Sequence, residues 1–187
     1  MSFENAKANL KEFGKELGLE GLEFDENNTC ILGIDDEFSM HLTYEPNSDR
    51  LYVYSPVLDG LPKDAETKVK LYEKLLEGSM LGGQMAGGGV GVAPQEGLIL
   101  MHCTIDMAHA AAEALRAFAP LYVETIEKWR KAACDICEGR QADIVSPLEQ
   151  YRKSGGHLGA PPTGGIPTPP SNGKGPQGGP GGMGMKA

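Results

Sequence analysis

The sequence lacks two features that place a protein in or across a membrane. None of its apolar runs is long enough to span a bilayer, and its first residues, MSFENAKANLKEF, lack the apolar core of a signal peptide. Basic residues are also scarce, with 17 lysines and arginines against 26 aspartates and glutamates and a formal net charge of -9. Because so acidic a chain repels nucleic acid and anionic membranes, we expect neither as a partner and predict a cytoplasmic protein.

Residue arrangements that would support catalysis or bind a metal are missing too. The four cysteines fit reduced, buried thiols better than a disulfide framework in a chain of 187 residues: Cys30, Cys103, Cys134 and Cys137. Cys134 and Cys137 form a lone Cys-x-x-Cys pair that ends a predicted helix, whereas zinc needs about four ligands and a thioredoxin-like pair begins a helix after a strand. His102 and Cys103 are neighbours on a predicted strand and therefore point to opposite faces. We expect no enzyme activity, no metal and no cofactor.

Glycines are concentrated between residues 82 and 91, where a phosphate-binding loop has to be considered. The stretch contains neither Gly-Lys-Ser/Thr nor Gly-x-Gly-x-x-Gly, and it follows a predicted helix, whereas phosphate loops follow a strand. A small dimeric nucleotide- or anion-binding protein that uses the Gly87–Gly91 loop is the alternative interpretation.

Three stretches have the apolar spacing of amphipathic helices. The first is Ser2–Gly18, with apolar residues at helical spacing and Ser2 as a cap. The second begins after the capping residue Asp64 and breaks at the glycines from Gly87 onward. The third begins after the capping residue Asp106 and reaches roughly Gly139.

Alternating apolar residues predict six strands, four before the second helix and two between the second and third. These are Gly21–Asp25, Thr29–Ile34, Glu37–Tyr44, Leu51–Leu58, Val90–Ala93 and Leu98–Ile105. The order α-β-β-β-β-α-β-β-α, with antiparallel strands and segregated helices, predicts an α+β domain with a twisted sheet.

The composition changes at residue 141. The following stretch, residues 141–187, holds eight of the thirteen prolines and many glycines but few bulky apolar residues. Such a composition buries too little surface to offset the entropy of ordering the chain. We therefore predict a folded domain over residues 1–140 and a disordered Gly/Pro-rich tail over residues 141–187.

The ordered part of the chain resembles the class I type III secretion chaperones, the Tir-chaperone family, over roughly residues 3–138. The features that carry the resemblance are the first amphipathic helix, the strand Glu37–Tyr44, Leu75-Leu76, Gly87-Gly88-Gly89-Val90-Gly91-Val92, the strand Leu98–His102 and the region of Trp129. Residues 71–92 and 98–103 look especially like the chlamydial multi-effector chaperones of that family.

The resemblance implies a homodimer in the bacterial cytoplasm that has no enzyme activity. Such chaperones bind the N-terminal segments of secreted effectors, keep them locally unfolded and present them to the secretion ATPase. Extended peptides need apolar pockets and free sheet edges, and a methionine-rich surface tolerates several sequences.

Two contact surfaces follow from these patterns. We predict the client-binding surface on the first helix and the adjoining strands, at Phe3, Leu10, Leu22, Phe24, Phe38, Met40 and Leu42. We predict the dimer interface on the second helix, whose apolar stripe ends in small and sulfur-bearing residues, at Tyr72, Leu75, Leu76, Ser79 and Met80.

Overall fold

The computed structural model describes residues 2–19 and 21–144. Its elements, in chain order, are α1 (Ser2–Glu16), β1 (Thr29–Ile34), β2 (Phe38–Glu45), β3 (Arg50–Asp59), α2 (Ala65–Ser79), β4 (Gly89–Ala93), β5 (Leu98–Asp106) and α3 (Ala114–Cys137). A short 3-10 turn, Met80–Gly82, follows α2 directly. The five strands form one antiparallel sheet in the order β1-β2-β3-β5-β4.

The core lies between one face of this sheet and the helices. Alternate residues of each long strand are buried, as the exposure pattern of β3 shows, so that one face of the sheet carries most of the apolar side chains. α3 packs on β3 and β5, and it also contacts α1 and α2. The prediction of an α+β fold with three helices and an antiparallel sheet is confirmed.

The predicted strand Gly21–Asp25 is not a strand, so the sheet has five strands among the described residues, where six were expected. Leu22 and Phe24 do point inward and are half-buried, as an alternating strand requires. Among the described residues, however, no backbone hydrogen bond involves Leu22, Glu23 or Phe24. The segment has the side-chain pattern of a strand but lacks a partner strand.

The start of α3 also differs from the prediction, because Asp106 does not cap that helix. Its carboxylate instead closes a turn, accepting the Ala108 amide at 3.0 Å and contacting His109 Nδ1 at 2.9 Å. α3 begins at Ala114, and the amide of Leu115 donates to Asn9 Oδ1 at 2.9 Å. The cap of α3 therefore comes from α1, about a hundred residues earlier in the sequence.

The second helix ends earlier than predicted. Its N-cap is the expected Asp64, whose carboxylate accepts the Thr67 amide at 2.7 Å. Its last residue is Ser79, well before Gly87, because Leu81 adopts a left-handed backbone with φ 56°. That turn leaves the Leu81 side chain 99% exposed.

Two glycines allow α2 and the β4–β5 hairpin to approach their neighbours closely. A Cβ at Gly78 would lie 2.2 Å from the Trp129 ring, and a Cβ at Gly88 would lie 1.9 Å from the His102 carbonyl oxygen. Trp129 is itself held by its indole N–H, which donates to the Gln84 carbonyl at 2.7 Å. These glycines serve close packing, and no described feature supports an anion-binding role for the Gly87–Gly91 loop.

The predicted tail lies almost wholly outside the described residues. Of the four tail residues that are described, Ala142 and Ile144 are partly buried against the core. The packed part of the chain therefore extends to at least Ile144, four residues beyond the predicted boundary. No helix in the described ranges has the length and apolarity needed to cross a membrane.

Candidate functional site

A groove of about 900 Å³ runs between α1 and the segment that connects it to β1. Its apolar lining is formed by Phe3, Leu10, Leu22 and Phe24. The ring of Phe3 lies 5.9 Å from that of Phe24 and 4.9 Å from that of Tyr44, measured between centroids. This α1 groove therefore offers a half-buried aromatic surface at the side of the domain.

The two walls of the α1 groove carry opposite charges. Lys7, Lys11 and Lys15 line the helix side. Glu23, Asp25 and Glu26 line the other side. The Asp25 carboxylate also accepts the amides of Asn27 and Thr29, at 2.9 and 2.8 Å, and so fixes the turn that leads into β1.

The connecting segment presents free backbone groups beside the apolar lining. Leu22, Glu23 and Phe24 have no backbone hydrogen bond to any described residue, and the chain continues into β1, an edge strand of the sheet. Unpaired N–H and C=O groups in an extended segment are a template on which another extended chain can pair. The α1 groove thus combines apolar pockets with open hydrogen-bonding capacity.

The structure brings four of the seven predicted client-binding residues together and separates the other three. Phe3, Leu22 and Phe24 are half-buried in the α1 groove, and Leu10 forms its floor with 1% exposure. Met40 and Leu42 are fully buried in the core. Phe38 lies beneath Arg130 of α3, and the Arg130 Cζ atom is 5.4 Å from the centroid of the Phe38 ring. These three do not line the α1 groove, because they lie on the strand face that the helices cover.

A second surface exposes large apolar side chains that a folded domain ordinarily buries. Its members are Val69 and Leu76 on α2, Met80 and Leu81 on the following turn and Val92 on β4. We call this set the apolar seam. It contains two predicted interface residues, Leu76 and Met80, which are 63% and 46% exposed.

The remaining predicted interface residues are less exposed. Tyr72 and Ser79 are half-buried, and the Ser79 hydroxyl donates to the Leu75 carbonyl at 2.8 Å. Leu75 is only 1% exposed and belongs to the core. It does not share the exposed face of Leu76, because a step of one residue turns a helix by about 100°.

The sheet face without helices has a different character. Tyr52, Tyr54 and His102 line a shallow depression of about 370 Å³ on it. Thr43 Oγ1 lies 3.2 Å from the Tyr54 hydroxyl, and the His41 ring stacks on Tyr54 at 5.0 Å. Burial lowers the pKa of His41, which keeps that imidazole neutral at physiological pH. Polar and aromatic groups of this face, among them His41, Thr43 and Tyr54, contact one another.

Sequence reasoning missed two asparagines that hold α1 on the rest of the domain. Asn5 Nδ2 donates to the carbonyls of Met107 and Ala110, at 2.8 and 2.9 Å. Asn9 is fully buried, and its amide group donates to the Ala111 carbonyl at 3.0 Å. The available signal was a pair of polar residues, four apart, within an otherwise apolar helical stripe.

The cysteines show no arrangement for chemistry within residues 2–19 and 21–144. Cys103 is buried and donates to the Met85 carbonyl at 3.2 Å, and burial raises its pKa to about 11. Cys134 is exposed and Cys137 is half-buried at the end of α3. In the same ranges, no group of three or more His, Cys, Asp or Glu side chains could hold a metal ion.

Comparisons with known proteins identify the class to which this fold belongs. The chain is similar to a chain of the HopA1–SchA chaperone–effector complex, with 25% identity, a TM-score of 0.56, and coverage of 68% of this chain and 94% of that chain. It shares its fold with a chain of the ExsC–ExsE complex, with 19% identity, a TM-score of 0.57, and coverage of 68% and 92%. Among curated proteins, none matches the sequence significantly.

The sequence itself settles the family. Residues 8–130 match the Tir chaperone protein (CesT) family, and the chain belongs to that family. It is accordingly a type III secretion chaperone that binds effectors, and its relatives are chaperones rather than enzymes.

Proposed function

We propose that this chaperone holds the N-terminal segments of secreted effectors in the α1 groove. It does so as a homodimer in the bacterial cytoplasm and presents the bound effectors to the secretion ATPase. Membership of the Tir chaperone family supports the chaperone role. The observation that carries the choice of site is the segment Leu22–Phe24, which has no backbone hydrogen bond to any described residue and lies beside an apolar groove.

Strand addition is the binding mode that this geometry favours. An extended effector segment pairs its backbone with residues 22–24 and supplies the partner strand that they lack. Its apolar side chains then reach Phe3 and Leu10 at the floor of the groove. One well-buried aromatic anchor contributes roughly 2 kcal/mol or more to such an interface.

The same mode explains how one chaperone can serve more than one effector. Main-chain hydrogen bonds supply affinity that does not depend on the client's side chains, and a groove half-open to solvent accepts residues of different size. We therefore propose a multi-effector chaperone, similar in this respect to the chlamydial members of the family.

Dimerisation is assigned to the apolar seam. Val69 and Leu76 lie seven residues apart, which places them on one face of α2, and the exposed Met80 and Leu81 follow directly after the helix. Monomers rarely expose large apolar side chains in a continuous group, and such patches mark interfaces. A twofold contact between two copies of this surface would bury it.

The test is capture of effector segments by two matched variants. N-terminal segments of about 100 residues, taken from the effectors of the native host, are co-expressed with wild-type chaperone, Phe24→Asp or Phe38→Asp. Both substitutions introduce a carboxylate at a half-buried phenylalanine, but Phe38 lies outside the α1 groove and next to Arg130. We expect Phe24→Asp to lose its client and Phe38→Asp to keep it.

Circular dichroism and light scattering accompany the capture experiment, so that loss of folding is not mistaken for loss of binding. Equal capture by Phe24→Asp and wild type would remove the α1 groove as the client site. If Phe24→Asp unfolds, Leu22→Ser repeats the test at a neighbouring groove residue with a smaller change.

A further inference from the structure

We infer that the lysine wall of the α1 groove selects extended segments in which acidic residues alternate with apolar ones. This inference rests on the proposed function, since it concerns the same groove, but it adds the chemical class of segment that binds there. It also opposes what the net charge of -9 suggests, because an acidic protein attracts basic chains at long range.

The spacing of the three lysines matches the repeat of an extended chain. Lys7, Lys11 and Lys15 follow one another at four-residue intervals along α1. Each interval advances about 6 Å along a helix axis, so the wall spans about 12 Å. Side chains on one side of an extended chain recur about every 6.6 Å, so three of them span about 13 Å. Flexible lysine side chains accommodate the difference.

The lysines are available to a client. Lys7 and Lys15 form ion pairs with Glu4 and Glu12 of their own helix, at 2.9 and 2.5 Å, but both pairs are more than 40% exposed. Exposed pairs of this kind hold their partners weakly. In the described ranges, Lys11 at the centre of the wall has no ion pair. A client carboxylate can therefore pair with Lys11 directly and share the other two.

The acidic wall opposite the lysines helps to determine which side of a client segment faces α1. Glu23, Asp25 and Glu26 repel a carboxylate that approaches the connecting segment. An acidic client side chain is thus attracted by the α1 side and repelled by the opposite side, whereas a basic client side chain has the reverse preference. The two walls together fix which side of the segment faces α1 while its apolar residues occupy the floor.

A selection experiment with random peptides tests the inference and does not require the effectors to be identified. A phage-displayed library of random 12-residue peptides is selected on the wild-type chaperone, and peptides that also bind Phe24→Asp are discarded because they bind outside the α1 groove. The affinities of the retained peptides are measured by fluorescence polarisation for wild type, Lys11→Glu and Lys128→Glu. Lys128 is the matched control, an exposed lysine on α3 that pairs with Glu124.

We expect enrichment of sequences in which Asp or Glu alternates with apolar residues. Lys11→Glu should weaken these peptides by about 5- to 10-fold, since a favourable exposed pair becomes a repulsive one, and Lys128→Glu should stay within about twofold. Replacing the acidic residues of the best peptide by lysine should abolish its preference for wild type over Lys11→Glu.

The outcomes separate this inference from the proposed function. Retained peptides with no acidic enrichment, or with equal affinity for wild type and Lys11→Glu, would overturn the charge selection and leave the groove as the client site. Failure to retain any groove-dependent peptide would overturn both, provided that the host effector segments also bind Phe24→Asp normally.

Discussion

The two edges of the sheet expose different chemistry. At the β1 edge, the α1 groove offers backbone groups that have no partner among the described residues, half-buried aromatic rings and walls of opposite charge. At the β4 edge, the apolar seam exposes aliphatic and methionine side chains instead. A surface rich in free backbone groups suits clients of varied sequence, whereas an aliphatic surface suits one partner of fixed shape, such as a second copy of the chain. Under the proposed function, this difference would keep the changing clients and the permanent partner at opposite edges of one small sheet.

Both edges depend on α3. At the β1 edge, Asn9 of α1 caps α3 through the Leu115 amide. At the β4 edge, Gly78 of α2 allows the ring of Trp129 to pack against the helix backbone. α3 is thus the common support, and each edge can be perturbed through its own contact. The predictions that follow exploit this separation.

The largest effect is expected from charging the apolar seam. The double variant Leu76→Asp and Met80→Asp should be monomeric at micromolar concentration, because burying an unpaired charge in an interface costs about 3–5 kcal/mol. Light scattering gives the oligomeric state. Leu121→Asp is the control, since Leu121 is 54% exposed on α3 and lies outside the seam. Dimers of the double variant would place the interface elsewhere.

The next effect concerns the support of the β4 edge. Gly78→Ala places a methyl group 2.2 Å from the Trp129 ring, and overpacking of this kind costs about 1–3 kcal/mol. This outweighs the gain of up to about 1 kcal/mol from replacing a helical glycine. Urea denaturation measures the loss, and weaker dimerisation with normal client capture should accompany it.

Gly83→Ala is the matched control for that variant. A Cβ at Gly83 would meet the Met80 carbonyl oxygen at 3.7 Å, an ordinary contact, so its stability should stay close to that of wild type. If Gly78→Ala were as stable as Gly83→Ala, close approach of α2 and Trp129 would not be what supports the β4 edge.

A comparable loss is expected at the β1 edge. Asn9→Ala removes the acceptor of the Leu115 amide and the donor to the Ala111 carbonyl, both inside the domain. Leaving buried polar groups unpaired costs about 1–3 kcal/mol. Because α1 then docks less firmly, client capture should fall while dimerisation persists. Asn47→Ala, in the exposed β2–β3 turn, is the control, and equal stability of the two variants would contradict the role given to Asn9.

Patterns that depend on neighbouring residues could be read from the sequence. β1 has the predicted bounds Thr29–Ile34, and Asp64 caps α2 through the Thr67 amide three residues later. In both, the determining contacts are local periodicity or a cap within one turn. The fold class and the order of all elements except the first predicted strand followed from such signals.

The failures have long-range causes. The start of α3 depends on Asn9, and no property of residues 106–114 indicates a cap supplied from α1. Residues 21–25 alternate like a strand, yet strand formation needs a partner, which a local pattern does not reveal. Met40 and Leu42 were assigned to the groove because alternation identifies a strand face without showing which helix covers it.

The smallest effect is expected from two buried tyrosines, Tyr44 and Tyr122, and it appears in alkaline solution. The hydrogen bond from the Tyr44 hydroxyl to Asp49, at 2.6 Å, raises the pKa of Tyr44 to about 12, and burial raises the pKa of Tyr122. Both hydroxyl groups hold their protons more tightly in the folded protein than in the unfolded chain. Their stabilisation is therefore complete below pH 10 and is lost as the pH rises towards 12.

Replacing either tyrosine should flatten this alkaline loss. Tyr44→Phe should reduce stability at pH 7 by about 0.5–1.5 kcal/mol, because one hydrogen bond is removed. Above pH 10 it should also reduce the dependence of the unfolding free energy on pH by up to one proton, or about 1.4 kcal/mol per pH unit. Urea denaturation at pH 7, 9, 10 and 11 measures both the stability at pH 7 and the dependence of the unfolding free energy on pH. Because the Phe3 ring packs on that of Tyr44 and the phenylalanine keeps this contact, client capture at pH 7 should be unchanged. An alkaline limb as steep as that of wild type would mean that the Tyr44–Asp49 pair does not hold the proton more tightly in the folded protein.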